Sequence, residues 1–596
     1  MLDTLGLAVE GLLFFEKGSG HAQQNGKISA FLRRRVANIF LVEQLSTKSI
    51  VKKWFWAMVA VAALLLLAVV WVRVYLDPWA EKKLAEEVRS KSNGEYLLKT
   101  GSVDVSLLAG TVTIDSLELA HQPAVWERLQ KSNPAQAKAM AIDLQATRVN
   151  LTGLSFLDLL QKKPLRLGNL QLDHPNLVLT QMKPDTSQPK PLHEKLTGQL
   201  KGIILQKIVI NNGRLRYKSS PRQKASEVEL TGLKATAYHL QVDSASFQDL
   251  SRAFYCQKIE ASAATTNLML PQQYYRLKTG AVALSTTTKQ VKVQQAALVP
   301  LLGPKALARK AGRAIARFNI TVPVLRFSKV QFGTLSRYGN VQVGGVQVLN
   351  PSLRAYMDCK NFPIKGVQPL PQDLVQKLPF GLTIKRVAIR SLDVRYEELA
   401  PEATQTGTLF VRNIIAQISN LTNDKNLMTQ KRPAVVKATG LIMGKAYMAA
   451  TVKLNLLDPQ GRHTIVGRIG PGNPAVLNQM LEPILHMSVK SGEIKKGSFQ
   501  VSLNRTSAKG IMLIQYDGFK VDLLSKDGEK RQSLGKKLLS FAANKMVIDS
   551  DSPSNGKEPA QVPIQVARRS DRSILTYWKD CLADGALHAL GVSSMK

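Results

Sequence analysis

Apolar and polar residues alternate along much of the chain after residue 100. In the runs 102–107, 498–503 and 519–523, every second residue is Val, Leu or Phe. Successive side chains of a β-strand point to opposite faces of its sheet, so this period of two predicts strands with one apolar and one polar face. The chain is therefore predicted to be mainly β.

One pattern occurs twice, 179 positions apart. "IVINNGRLRY" at 208–217 is followed by "VAIRSLDVRY" at 387–396, and the apolar positions that correspond are Ile208, Ile210, Leu215 and Tyr217 in the first copy and Val387, Ile389, Val394 and Tyr396 in the second. The turn-forming residues "NNG" at 211–213, "DHPN" at 173–176 and "YDG" at 516–518 predict that such segments are strand, tight turn and second strand.

Helical patterns are few. Residues 301–318 place Leu307, Ala311, Ala314, Ile315 and Phe318 on one face of a helix, with a basic surface around the rest that comprises Lys305, Arg309, Lys310, Arg313 and Arg317. Such a helix either lies on anionic lipid or caps a sheet and exposes its charges to water. Further helices are predicted around 475–488 and 533–544.

This small amount of helix cannot cover the apolar face of so many strands. Two arrangements satisfy the pattern. Either the sheet packs its apolar face against a second sheet, or it stays open as a trough that holds an apolar ligand.

A single membrane anchor is predicted before the strands. The nineteen residues from Trp54 to Val72 contain no charged side chain and would form a helix of about 28 Å, which matches the hydrocarbon thickness of a bilayer. Bulky residues follow the apolar run, so an uncleaved anchor is favoured over a signal peptide. Basic residues dominate its amino-terminal side, which predicts that this side is cytoplasmic and that the remaining body is exported.

The charge and the cysteine content limit the classes of binding partner and the thiol chemistry to be expected. Lys and Arg outnumber Asp and Glu by 81 to 43, a formal charge of +38, which predicts anionic partners such as lipid headgroups or glycans. Nucleic acid is disfavoured, because no basic stripe studded with aromatic residues is present. The three cysteines are far apart and predict free thiols.

No catalytic motif or metal-ligand spacing occurs among the histidines and carboxylates, so neither an enzyme nor a cofactor is predicted. Asp549 and Asp551 are too few for a calcium site and indicate a solvated loop.

The chain resembles the AsmA-like family of bacterial envelope proteins, which is related to lipid-transfer proteins with repeating β-groove domains. The resemblance covers most of residues 52–596. It rests on the anchor followed by a short helix and the "GEY" entry at 94–96, on "IKKGSFQVSLNRTSAKGIMLIQYDGFKVDLL" at 494–524, and on "SILTYWKDCLADGALHALG" at 573–591.

The resemblance implies an amino-terminal transmembrane helix followed by an elongated, twisted antiparallel β-sheet groove with a few capping helices. The expected boundaries are 51–76 for the helix, 77–548 for the periplasmic groove, and 549–596 for a linker and closing helix. Residues 1–50 do not belong to the family pattern and are expected to be a cytoplasmic tail or a spurious extension. It also implies an inner-membrane location and phospholipid as the partner, in support of outer-membrane assembly.

Two functions follow. In the first, a groove shields or transfers phospholipid, and its predicted lining is Ile208, Ile210, Leu215, Val387, Ile389, Val394, Phe499, Val501 and Leu503. In the second, the apolar faces pack against each other and the basic surface of a non-lipid scaffold binds an anionic glycan or a partner protein.

Overall fold

The computed structural model describes residues 80–106, 110–134, 136–154, 165–183, 191–195, 202–219, 227–524, 551–553 and 559–591. The predicted transmembrane segment 51–76, the segment 1–50 and the predicted helix at 533–544 lie outside these ranges. Within them, no helix attains the length and apolarity that a bilayer crossing requires.

The described part of the chain is mainly β. Its helices are α1 (Ala80–Lys91), α2 (Pro123–Ser132), α3 (Leu192–Lys195), α4 (Ser244–Gln248), α5 (Pro304–Ala311), α6 (Phe332–Tyr338), α7 (Pro371–Gln376), α8 (Asn478–Leu485) and α9 (Ile574–Ala589). Short 3-10 turns lie at Pro271–Gln273 and Pro474–Leu477.

The strands up to residue 300 are β1 (Tyr96–Thr100), β2 (Val103–Ser106), β3 (Thr111–His121), β4 (Met140–Leu151), β5 (Leu165–Asp173), β6 (Asn176–Gln181), β7 (Ile203–Lys218), β8 (Glu227–Val242), β9 (Lys258–Ala263), β10 (Thr265–Met269), β11 (Tyr275–Thr279), β12 (Val282–Ser285) and β13 (Gln290–Pro300). Those that follow are β14 (Arg317–Ser328), β15 (Val341–Leu349), β16 (Ser352–Asp358), β17 (Leu382–Leu399), β18 (Gly407–Thr422), β19 (Ala434–Ile442), β20 (Ala446–Leu454), β21 (His463–Ile469), β22 (Met487–Leu503), β23 (Ser507–Leu523) and β24 (Val562–Ala567).

These elements form two compact units. The amino-terminal unit comprises the described residues up to 296 together with 326–343, and the carboxy-terminal unit comprises 297–325 and the described residues from 344 onward. The closing segment predicted from residue 549 belongs to the second unit, because β24 pairs with β23 and α9 packs on both strands.

A filled core underlies the sheet of the amino-terminal unit. Antiparallel pairs join β3 to β4 and β7 to β8, while β5 and β6 both run parallel to β7. The inward residues of these strands are mostly Leu, and Leu179 and Leu205 have no exposed surface. They pack into one cluster that extends from Leu98 to Cys256.

The carboxy-terminal unit is built mainly as a meander. Strands β17 to β24 pair antiparallel in chain order, each with the next, and β16 lies parallel on the outer side of β17. Antiparallel neighbours can be joined by short connections, as between β19 and β20 (443–445) and between β22 and β23 (504–506), whereas the connection from β21 to β22 contains the 3-10 turn and α8.

The predicted tight turns are wrong. The predicted turns at 211–213 and 516–518 lie inside single strands, β7 and β23, and 173–176 separates β5 and β6, which both run parallel to β7. Residues 382–399 likewise form one strand, β17. Asn212 and Ser391 adopt left-handed backbone conformations, with φ of 51° and 54°, and the register with the next strand shifts at each site. A single left-handed residue produces a β-bulge, which bends a strand without reversing it.

The recurring pattern is a structural repeat. In the first copy, the N–H of His174 donates to the carbonyl of Asn211 at 2.8 Å. In the second, the N–H of Asn350 donates to the carbonyl of Arg390 at 2.9 Å. Each donor is followed by proline and separates two strands that pair with the same neighbour, β5 and β6 with β7, and β15 and β16 with β17. The sequence pattern occurs twice because each unit contains one copy of the same bent, partly parallel sheet.

The basic helix predicted over 301–318 is shorter than expected. Helix α5 ends at Gly312, whose left-handed conformation caps it, so Arg313 and Arg317 lie beyond the helix. Arg313 is buried and donates to the carbonyl of Lys365 at 3.0 Å. The apolar side with Leu307 is buried and α5 packs on β16, so the helix caps the sheet, while Lys305, Arg309 and Lys310 are exposed.

Candidate apolar binding site

A hollow of about 700 Å³ lies against the inner face of β18 to β23 in the carboxy-terminal unit. Helix α8 and the adjacent 3-10 turn line one part of it, and helix α9 lines another. The strand residues that face it are Leu409, Val411, Ile418, Ala434, Val436, Ala438, Ile442, Ala446, Met448, Ala450, Val452, Leu454, Ile465, Ile469, Met487, Val489, Ile494, Phe499, Val501, Met512, Ile514, Tyr516 and Phe519.

The period of two produces this lining. On β20, Met448, Ala450 and Val452 face the hollow, while Ala449 and Thr451 between them point to the opposite face. Many inward positions carry alanine, and Gly467 on β21 has no side chain at all. The ring of Phe499 occupies the place that a Cβ of Gly467 would need. Small side chains at inward positions leave the sheet's inner face uncovered and so create the empty volume.

Three hydrogen bonds hold α9 over the hollow. Near its start, the indole N–H of Trp578 donates to Nε2 of His463 at 3.0 Å. In the middle, the Asp584 carboxylate accepts the N–H of Gln565 at 2.8 Å. At its end, the Tyr516 hydroxyl donates to the carbonyl of Ala589 at 2.8 Å. These contacts fix the helix to β21, β23 and β24 along its whole length.

The His463 contact requires a neutral imidazole. Its Nδ1 lies 2.8 Å from the carbonyl of Gly461, so Nδ1 carries the proton and Nε2 accepts from Trp578. Burial lowers the pKa of His463 below its ordinary value, and Arg568 adds to this effect. A second proton on this ring would remove the acceptor that holds Trp578.

Helix α8 forms the wall at another side. The side-chain amide of Asn478 accepts the N–H of Val489 and donates to the carbonyl of the same residue, both at 2.9 Å. The Ser488 hydroxyl donates to Glu482 at 2.6 Å. Gly407 at the start of β18 lies so close to Ile484 that a Cβ there would be 2.8 Å from it. The helix is thereby bound to both β18 and β22.

Exposed lining residues show where the hollow opens to solvent. Leu485 is 57% exposed and Leu575 is 44% exposed, although both line the hollow. Lys579 is also exposed, and it is the one charged residue among the described residues of the lining. The Lys579 Nζ also lies 3.7 Å from the Asp580 carboxylate. The site is therefore an apolar chamber with an ion pair at its opening, which suits a ligand with a long apolar part.

The predicted lining residues are divided among three places. Phe499 and Val501 line the hollow. Ile210 and Leu215 belong to the filled core of the amino-terminal unit, with the half-buried Ile208 packed against it. Val387, Ile389 and Leu503 are buried in the carboxy-terminal unit outside the lining, and Val394 is half-buried.

Much of the lining was missed in the sequence. Strands β19 and β20, 434–454, alternate in period two, but their inward residues are mostly small, so they resemble weak strands. Helix α9 was predicted only as a closing element, yet Leu582, Ala583 and Ala586 face the hollow. The apolar face of this helix can be read from the sequence. That this face lines a hollow can be seen only once the helix is placed against the sheet.

Titratable groups offer little chemistry. No cluster of His, Cys, Asp or Glu suited to a metal ion occurs within the described ranges. Asp551 accepts the N–H of Gly518 at 2.7 Å, whereas Asp549 lies outside the described residues. Cys256, Cys359 and Cys581 are buried free thiols. Burial raises the pKa of Cys581, which lines the hollow, to about 12, so it stays protonated.

Comparison of the chain with protein-family models and with curated proteins finds no match.

Proposed function

We propose that the protein shields phospholipid acyl chains in the hollow of its carboxy-terminal unit and transfers them within the bacterial cell envelope. The observation that carries this proposal is an apolar chamber of about 700 Å³ that the protein's own side chains leave unfilled. Ligand pockets commonly measure about 300–1,000 Å³, so the chamber is large enough for a substantial part of a lipid.

The energetics favour an aliphatic occupant. Each methylene moved from water into an apolar chamber contributes about 0.8 kcal/mol, so an acyl chain gains affinity in proportion to its buried length. A polar ligand would gain little, because the described lining offers few hydrogen-bonding side chains, among them Asn473. At the opening, an anionic headgroup would compete with the Asp580 carboxylate for Lys579, whose Nζ lies 3.7 Å from it.

The wider setting of the proposal rests on the sequence. A single anchor at 51–76 would hold the protein in the inner membrane, with its body in the periplasm, and an elongated twisted β-groove would serve outer-membrane assembly as in the AsmA-like family. In this setting the hollow lies on a body tethered to the membrane that supplies the lipid.

Native mass spectrometry of the full-length chain tests the proposal. We expect the purified protein to carry phospholipid, and we expect replacement of Ala450 by Trp to remove most of it, because the new ring occupies the hollow. Ala449→Trp is the matched control, since Ala449 lies on the same strand and points to the opposite face.

Two outcomes would overturn the proposal. One is a wild-type protein that carries no lipid and takes up none from added phospholipid. The other is equal lipid content in the two variants, which would place the lipid elsewhere. A thermal unfolding profile shared by both variants ensures that lost lipid reflects lost space and not lost fold.

A further inference from the structure

The outer face of the same sheet carries an unbalanced set of cations. Because Ala450 and Val452 face the hollow, Lys453 points to the opposite face of β20, and the strand registers extend this assignment across the sheet. We name this surface the outer basic face, and its exposed cations are Arg386, Arg412, Lys437, Lys453, Arg468 and Lys509.

The register arranges these cations in rows. Lys453 is paired with Thr464, Thr464 with Ser502, and Ser502 with Lys509, so the two lysines lie in one row three strands apart. At a strand spacing of about 4.8 Å their backbones are separated by about 14 Å. The cations therefore cover an area of the sheet and are not confined to one loop.

Acidic residues are scarce around the central cations Arg412, Lys437 and Lys453. Between Glu402 and Asp458 the sequence contains one carboxylate, Asp424, which lies in a loop after β18. In the described ranges, none of the six cations of the outer basic face has a carboxylate oxygen within 4.0 Å, whereas other basic side chains of the unit, such as Arg505, form ion pairs. A surface of one sign attracts an anionic partner.

Apolar side chains are interspersed with these cations. Ile415 is 52% exposed, Val466 is 48% exposed and Ile511 is 45% exposed, and the registers place all three on the outer basic face. Tyr447, 46% exposed, lies beside Arg468 on the same face. A hydrophilic polyanion would gain nothing from exposed aliphatic side chains, whereas the headgroup region of a bilayer accommodates both cations and apolar groups.

We propose that the outer basic face docks onto a phospholipid bilayer surface that contains anionic headgroups. In this arrangement the lysines and arginines contact headgroup phosphates, and Val466 and Ile511 enter the boundary of the acyl region. This proposal is independent of the proposed lipid site in the hollow. It concerns the opposite face of the sheet, and its partner is a bilayer surface, whereas the hollow would bind a single lipid molecule.

Vesicle capture tests it. The full-length chain is reconstituted in nanodiscs of phosphatidylcholine, and capture of vesicles made of equal parts phosphatidylcholine and phosphatidylglycerol is compared with capture of pure phosphatidylcholine vesicles. We expect capture of the anionic vesicles only, and we expect it to weaken with added salt. Changing Lys437, Lys453, Arg468 and Lys509 to Gln should weaken capture about a thousandfold.

The matched control removes the same charge elsewhere. Lys99, Lys234, Lys278 and Lys292 are exposed lysines of the amino-terminal unit, and their change to Gln should leave capture within about twofold of the wild type. Equal losses in the two variants would overturn the proposal, since capture would then follow net charge alone.

A third variant separates a bilayer from other polyanions. Val466→Ser with Ile511→Ser should weaken vesicle capture severalfold while the charges stay in place. The bilayer assignment is wrong if this variant captures vesicles as well as the wild type does. It is also wrong if a soluble anionic polysaccharide binds the outer basic face without blocking vesicle capture.

Discussion

The two units share one strand pattern and differ in what fills its inner side. In the amino-terminal unit, inward positions are occupied by leucines such as Leu179 and Leu205, which have no exposed surface and leave a packed core. In the carboxy-terminal unit, the corresponding face carries Ala438, Ala446 and Ala450 and encloses a hollow of about 700 Å³. Both sheets bend at left-handed residues of the same repeat.

This difference shows that side-chain volume, and not periodicity, decides whether an apolar face becomes a core or a chamber. Interiors tolerate few voids, because each missing neighbour removes dispersion contacts. An apolar face with small residues therefore stays unfilled unless a ligand occupies it. The comparison can be tested by removing volume and by adding it in both units.

Removing volume should give the largest contrast. Leu205→Ala in the packed core is expected to destabilise the amino-terminal unit by about 2–5 kcal/mol, since it leaves a cavity among buried neighbours. Met448→Ala in the carboxy-terminal unit should cost less than about 1 kcal/mol, because Met448 already faces empty space. Amide hydrogen exchange measures the opening free energy of each unit separately. Equal costs would show that the hollow is as tightly packed as the core.

Adding side-chain volume should have an effect of intermediate size. It should destabilise the packed amino-terminal unit and leave the stability of the carboxy-terminal unit nearly unchanged. Ala146→Leu places a larger side chain in the packed cluster and should destabilise the amino-terminal unit by about 1–3 kcal/mol. Ala450→Leu should be neutral or slightly stabilising, because the new methyl groups enter the hollow. Denaturant midpoints of the two variants check this, and a loss for Ala450→Leu matching that for Ala146→Leu would contradict the difference between the units.

The smallest effect concerns pH. Burial lowers the folded-state pKa of His463, so the unfolded chain binds the proton more tightly than the folded chain does. The stability that depends on neutral His463 is complete above its ordinary pKa of about 6.5 and is lost as the pH falls through that value toward the folded-state pKa. Hydrogen exchange of α9 should therefore accelerate on acidification.

The variant His463→Gln provides the control for this effect. Its amide oxygen can still accept the Trp578 N–H but does not titrate in this range. We expect the acid-side acceleration in α9 to diminish, with no change in the amino-terminal unit. Unchanged pH dependence in the variant would assign the effect to another group.

The fold class could be predicted because period-two alternation depends only on neighbouring residues. Segments such as 499–503 are strands as expected, and the apolar side of 301–318, with Leu307, is buried as expected. The repeat was visible as well, in the matching positions around Ile208 and Val387.

The turns and the hollow could not be predicted in the same way. Asn212 tolerates a left-handed backbone and Ser391 gives no such signal. In neither case does the sequence show whether the strand reverses or continues, since that depends on pairing with β8 or β18. Likewise, Ala450 and Leu582 are distant in sequence and share a chamber only through the meander and α9. Local patterns carry no information about a volume bounded by distant segments.

Pairing in chain order has a consequence for biosynthesis. A sheet in which β17 to β23 each bind the preceding strand can add one strand at a time, in chain order, as the polypeptide emerges and folds. Helix α9, residues 574–589, emerges after all of these strands. The apolar chamber therefore stays uncovered throughout synthesis of its walls, and during that interval it is a binding surface for chaperones.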